Sequence, residues 1–313
     1  MTPLSPGRAP LWLRLKPLIV LLGAGALMAL AFLFAKLADR AAMPHLGFLM
    51  TAVFGAGMML LAMALWRRQR VVIDRRTLTY GLITGAIFAL PNALAFSAIA
   101  RVGAGFVSLG FAFPLLITWL MALALGMERF QWRRLAGVML GLSGGAILAL
   151  GKALEPGASA VWMAAVAAIP VVLAIGNIYR TRCWPGDASP LFLAALMLLF
   201  AALWLLPMVA LLEGGQLSRL FGSRDSAWLL LGETAIFALF YFLYFLLQKI
   251  AGPVYLSQIG IVTAPIAIAL AVAFLGEPVP PHLLPAGALV LVGTLIVQRS
   301  QRPDKSPPLK PRG

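Results

Sequence analysis

Residues 253–298 read PVYLSQIGIVTAPIAIALAVAFLGEPVPPHLLPAGALVLVGTLIVQ, and Glu277 is the only formally charged residue among them. Two apolar runs, 253–275 and 281–298, flank a Leu-Gly-Glu-Pro connection. A membrane-crossing helix needs roughly 20 mostly apolar residues at about 1.5 Å rise each. The stretch therefore reads as two spanning helices joined by a short turn.

The pattern repeats along the chain. Eight further apolar runs, each bounded by charges, Gly or Pro, lie at 17–36, 46–66, 78–100, 103–125, 134–151, 160–179, 190–212 and 227–248. The connections between them are too short for a separate soluble domain. Composition agrees: 62% of the 313 residues are hydrophobic and 11% charged, with a mean hydropathy of +0.95. Soluble chains sit near half apolar and about a quarter charged, so lipid must be the solvent for much of this surface. The first run follows Arg8, Arg14 and Lys16 and is longer than a secretory signal core, so it reads as a retained span. The expected fold is an all-α membrane protein with ten transmembrane helices.

The net charge of +15 follows the topology. With both termini inside, inner segments hold 19 of the 25 Lys and Arg residues, among them Arg67, Arg68, Arg75, Arg76, Arg133, Arg180, Arg182 and Lys249. The outer segments hold only Lys36, Arg40, Arg101, Lys152, Arg219 and Arg224. This bias satisfies the positive-inside rule and leaves no basic domain for nucleic acid. The expected location is the bacterial inner membrane with both termini cytoplasmic, and the inner charges face membrane lipid. Cys183, the single cysteine, excludes an internal disulfide and a multi-Cys metal site; it is expected to be a reduced thiol in a cytosolic loop.

The two halves of the chain resemble each other. Pro114, Leu125-Gly126-Met127-Glu128 and Gly137 in the first half match Pro265, Leu275-Gly276-Glu277 and Gly287 in the second, and both Gly-to-Gly intervals are eleven residues. Five helices per half is an odd number, so the second copy enters the membrane from the opposite side. Inverted repeats of this kind are a transporter architecture, with the substrate site near the midplane. The doubled motif resembles the EamA-type branch of the drug/metabolite transporter superfamily over residues 17–298. The first copy departs from the family pattern, since Met127 displaces Glu128 by one position. The resemblance implies two inverted five-helix repeats, 17–151 and 160–298, around a central cavity, between a cytosolic segment 1–16 and a disordered tail 299–313. It also implies export of a small organic solute such as an amino acid or metabolite. Glu128 and Glu277 read as first-turn residues that complement a helix dipole.

A polar side chain on a spanning helix is costly, so the polar positions carry the functional information. On the eighth run Glu233, Phe237, Phe240, Tyr241, Tyr244 and Gln248 fall within one arc of about 100°, opposite Leu239 and Leu246. Such a stripe suits the wall of a solvated cavity that stacks an aromatic substrate or holds a cation, although aromatics also face lipid. Glu233 is the only acid well inside a span. It reads as a proton- or cation-coupling carboxylate, as a partner for a cationic part of the substrate, or as a structural partner of Arg101. The third run places Tyr80, Thr84, Phe88, Asn92 and Phe96 at successive i+4 steps, with Pro91 breaking the ladder. Ser108, Phe111 and Thr118 share an arc on the fourth run, and Ser257, Gln258 and Pro265 a face on the ninth. Ser and Thr often only bond the backbone one turn back. The expected substrate pathway is Tyr80, Thr84, Asn92, Ser108, Glu233, Phe237, Tyr241, Tyr244, Gln248, Ser257 and Gln258.

The fifth and tenth runs carry Gly137-x-x-x-Gly141, Gly144, Gly145, Ala286, Gly287 and Gly293 without charge at depth. These small residues suit close helix packing, either within the chain or in a homodimer. No cofactor is expected: there is no Walker A sequence or Gly-rich phosphate loop. No metal or Ser/His/Asp site is expected either, because His45 and His282 lie in separate outer connections. The run 17–36 lacks a carboxylate, which argues against proton antiport in the style of small multidrug-resistance relatives. A secondary transporter is the leading expectation, and a lipid or lipid-linked-sugar translocator the alternative. An intramembrane enzyme would need a second acid at depth, and a scaffold would need a filled core.

Overall fold

The computed structural model describes residues 11–102, 107, 113–127, 130–153, 159–186, 188–276 and 283–299. Ser108, Phe111, Glu128, Glu277 and His282 lie outside the described residues, as do residues 1–10 and most of the C-terminal tail. Among the described residues the regular structure is helical. The helices are α1 (Leu11–Arg40), α2 (His45–Trp66), α3 (Arg75–Val102), α4 (Pro114–Ala124), α5 (Trp132–Ala153), α6 (Ala160–Arg182), α7 (Pro190–Leu212), α8 (Arg224–Leu256), α9 (Ile259–Leu275) and α10 (Leu283–Arg299), with a 3-10 turn Gly214–Phe221 before α8. Each α-helix overlaps one apolar run of the sequence.

Six helices (α1, α2, α3, α6, α7 and α8) are long and apolar enough to cross a membrane. α4, α9 and the segment 284–293 of α10 are apolar but shorter. The protein is an integral membrane protein, and its surface agrees: Ile19, Phe54, Leu203, Leu206, Leu239 and Phe274 are exposed. The interior is rich in small residues, with Ala24, Ala52, Ala56, Ala95, Ala194 and Ala201 fully buried. Without a water-driven hydrophobic effect between helices, close backbone approach and dispersion hold a membrane bundle together.

Helix α1 packs along α8 and α9, α2 along α7 and α8, α3 along α6 and α7, α4 along α6, and α5 along α10. The contacts of α3 with α7 run through glycines: a Cβ at Gly85 would fall 2.7 Å from the Phe200 Cβ. The glycine-rich fifth and tenth helices pack on each other within the chain. A Cβ at Gly144 would fall 2.7 Å from the Ala286 carbonyl, and one at Gly293 would fall 2.7 Å from the Gly141 nitrogen.

The repeated Leu-Gly motif has one local structure in both halves. Gly126 ends α4 at φ +67° and Gly276 ends α9 at φ +62°, the left-handed C-terminal position that glycine occupies without a Cβ penalty. Other ends are capped by side chains. Ser189 accepts from the Phe192 N–H at the start of α7, Ser223 from the Ser226 N–H at the start of α8, and Asp74 from the Thr77 N–H at the start of α3.

The ends that charge counting assigns to the outer side are tied together. The Glu213 carboxylate accepts from the Leu46 and Gly47 N–H groups at 3.1 and 2.8 Å, capping α2 from the end of α7. Asp39 bridges Lys36 and His45 at 3.0 and 2.9 Å, and Arg40 donates to the Leu275 carbonyl at the end of α9.

Three sequence boundaries are corrected. Pro114 opens α4 at the first turn, where its missing N–H costs nothing. The ninth run, 253–275, is not one helix: non-helical Gly252 (φ 78°, ψ −178°) sets Pro253–Leu256 off from the rest of α8, and α9 begins only at Ile259. Ser257 and Gln258 therefore form the turn between α8 and α9 and do not share a face with Pro265, which is exposed. Arg180, counted as an inner-loop cation, belongs to α6 and is buried.

Candidate functional site: a polar-ended cavity between α3, α6, α8 and α9

The two predicted stripes meet in the middle of the bundle. Tyr80, Thr84, Phe88, Asn92 and Phe96 of α3 are all buried, as are Glu233, Phe237, Phe240, Tyr241 and Gln248 of α8. Their rings bridge the gap between the helices. Phe88 and Tyr241 make an edge-to-face contact at 5.0 Å, and Phe96 and Phe237 stack at 6.2 Å. Such pairs add attraction beyond their buried area.

Beside this aromatic contact lies a cavity of about 50 Å³. Its walls come from α1 (Met28), α3 (Phe88, Asn92), α6 (Leu173, Asn177, Arg180), α8 (Phe240, Tyr241, Tyr244) and the turn into α9 (Ser257, Gly260). One end is polar. Tyr244 Oη donates to Asn177 Oδ1 at 2.6 Å, and Arg180 Nη2 donates to Asn177 Oδ1 at 2.9 Å and to the Tyr244 hydroxyl. Gln248 Nε2 donates to the Asn177 carbonyl at 3.2 Å and the Thr181 hydroxyl at 3.0 Å. These bonds join α6 to α8. The Arg180 Nε–H, also buried, meets no acceptor among the described residues. The other end of the cavity is apolar and aromatic.

The expected pathway residues fall into distinct places. Asn92, Tyr241, Tyr244 and Ser257 line the cavity. Asn92 Nδ2 also donates to the Phe88 carbonyl one turn back at 2.8 Å. Thr84 back-bonds to the Tyr80 carbonyl at 2.7 Å and Ser257 to the Val254 carbonyl at 2.8 Å, the local role such hydroxyls often take. Gln248 sits beside the polar end, and Phe237 and Glu233 lie beyond the Tyr241 ring, outside the cavity.

Glu233 is fully buried, and neither carboxylate oxygen has a hydrogen-bond partner among the described residues. Its neighbours in sequence fix its direction: Gly232 packs on Phe34 of α1 and Thr234 on Gly55 of α2. At about 100° per residue, Glu233 points between those two helices. Arg101 does not partner it; its guanidinium lies over the Trp162 ring at 5.9 Å.

A second hollow opens at the end of the bundle that charge counting assigns to the cytoplasm. It is lined by Arg75, Arg76, Thr79, Tyr80, Tyr179, Arg182 and Cys183. Tyr80 and Tyr179 stack there at 6.1 Å. Tyr80 is also within electrostatic reach of Arg180 and Tyr244, so it stands between this vestibule and the cavity.

Asn177 and Arg180 were not singled out in the sequence. Arg180 looked like an ordinary flanking charge, because the apolar run ends at residue 179. The signal that marks it is the i, i+3 spacing of Asn177 and Arg180, two polar residues on one face one turn inside the helix end.

Residues 15–150 match the model of the EamA-like transporter family, part of the drug/metabolite transporter superfamily. The matched residues make up less than half of the chain, and the match agrees with the resemblance that the doubled motif carries. No curated protein matches the chain. Solved structures share the fold: one crystal structure superposes with a TM-score of 0.63 at 18% identity, covering 88% of this chain and 97% of that one.

Proposed function

We propose that the protein is a secondary active transporter that exports a small organic solute by alternating access between two inverted five-helix repeats, 17–151 and 160–298. The observation that carries this reading is the cavity itself, walled by α1 and α3 from one half and by α6, α8 and α9 from the other. A site shared by two halves changes its access when they rock.

The helix contacts support the repeat. Exchanging each helix with the one five places on turns α1 with α8 into α6 with α3, α1 with α9 into α6 with α4, and α2 with α8 into α7 with α3. The pairs α2 with α7 and α5 with α10 map onto themselves. A pseudo-two-fold axis requires such a pairing. In this reading all ten helices cross the bacterial inner membrane and both termini are cytoplasmic. Glu233 is the coupling carboxylate, since an acid enclosed without a partner is suited to take up and release a proton or cation.

The test is flux of a solute panel into proteoliposomes, with and without an imposed pH gradient, for wild type and Glu233→Gln. The reading expects gradient-driven flux of at least one solute in wild type and its loss in Glu233→Gln. Absence of flux for the whole panel would overturn the transporter reading. Normal gradient-driven flux in Glu233→Gln would overturn the coupling role alone.

A further inference from the structure

We infer that the cavity binds an organic anion, an aromatic carboxylate whose charged group meets Arg180; the inference rests on the cavity being the solute site. Arg180 is only 3% exposed, yet among the described residues no carboxylate pairs with it. The ion pairs among the described residues, Lys36 with Asp39 and Asp39 with His45, both lie at the far ends of α1 and α2. Its partners at the cavity, Asn177 and Tyr244, are neutral.

A buried cation without a counter-ion is strongly disfavoured in a low-dielectric interior. Asn177 and Tyr244 orient the guanidinium, but they do not neutralise it. The Nε–H remains without an acceptor. An anion supplies both the missing charge and the missing acceptor, through a charge-assisted hydrogen bond. Glycine 176 keeps room for the group: a Cβ there would stand 3.1 Å from Arg180 Nη1.

The route to the cavity carries the same sign. Arg75, Arg76 and Arg182 line the vestibule, and no acid is among its described lining residues. A cleft with one sign of charge focuses that potential, attracts anions and repels cations. The remaining walls set the body of the ligand. Phe88, Phe240 and Tyr241 present ring edges and faces, and Met28 and Leu173 close the apolar end. These surfaces suit a flat ring. Glu233 lies outside the cavity, so no carboxylate among the described residues stands there to receive an amine.

The experiment is equilibrium binding to the purified full chain in detergent, with radiolabelled benzoate, phenylacetate and indole-3-acetate. Each is competed by its uncharged alcohol or amide and by benzylamine. The expected result is at least tenfold weaker binding of the neutral and cationic counterparts for one or more of the three carboxylates. Arg180→Gln is expected to lower carboxylate affinity at least tenfold, with Arg180→Lys intermediate. Equal affinity of every carboxylate and its neutral counterpart would overturn the inference without recourse to any variant, and so would unchanged carboxylate binding in a folded Arg180→Gln. Carboxylate binding without flux would count against the transporter reading alone. Flux of neutral or cationic solutes without carboxylate binding would count against the anion alone.

Discussion

The guanidinium carbon of Arg180 stands 5.1 Å from the centre of the Tyr244 ring, while Nη2 of the same group donates to the Tyr244 hydroxyl. One residue of α8 thus holds a cation of α6 by both its ring and its oxygen. Tyr244→Phe keeps the ring and removes the oxygen, so Arg180 loses an acceptor and Asn177 Oδ1 loses a donor. The expected outcome is a solute KM raised roughly tenfold, about 1.4 kcal/mol. The melting temperature should move little. Uptake kinetics in proteoliposomes, alongside a melting curve, check this.

Glu233 buries two acceptor oxygens that no described residue satisfies. An unpartnered buried polar group costs about 1–3 kcal/mol. Glu233→Met fills similar volume with no polar atom, so the variant should melt a few degrees higher in detergent while losing gradient-driven flux. Stability gained against activity lost is the mark of a residue retained for function. A variant that melts lower than wild type would contradict this account.

Gly252 adopts φ 78° between two helical stretches of α8, and a Cβ there would meet nothing within 4 Å. The need for glycine is therefore conformational only. Gly252→Ala should destabilise by about 1–2 kcal/mol without any clash to relieve. A second-site substitution that enlarges nearby space should consequently fail to rescue it, which a melting series would show.

At the α5–α10 contact the requirement is spatial. Gly293 faces the Gly137 carbonyl and the Gly141 backbone directly. Gly293→Leu must push the helices apart, at a cost of about 1–3 kcal/mol or more. Loss of monodispersity on size exclusion, or a clear drop in melting temperature, is expected. Unchanged behaviour would mean that the two helices do not meet along this face.

Much of this was legible in the sequence, because lipid makes the code simple. All ten helices follow the apolar runs, and the α3 and α8 stripes are buried on the side that their periodicity indicated. The doubled Leu-Gly motif marked two helix ends with the same left-handed glycine. What escaped notice depends on where helices stop. Tyr179 closes the sixth apolar run, yet the backbone continues to Arg182, which carries Arg180 into the cavity. Gly252 and Pro253 looked like the gap between two helices, and Gly252 does break the helical backbone there, although one more helical turn follows before Ser257. The place of Glu233 was hidden for another reason: helical phase gives a face, but not which neighbouring rings intervene. Phe237 and Tyr241 lie between it and the cavity.

The outer clasp has a consequence for timing. Opening the bundle on that side must break the two bonds from Glu213 to the start of α2, the Asp39 bridge and the Arg40 bond to the end of α9. These are charge-assisted contacts worth about 1.5–3 kcal/mol each, and they part together because they join the same helix ends. The vestibule end carries like charges that repel one another. The two ends of the bundle are thus unequally easy to part, and the clasped end separates more slowly than the vestibule end.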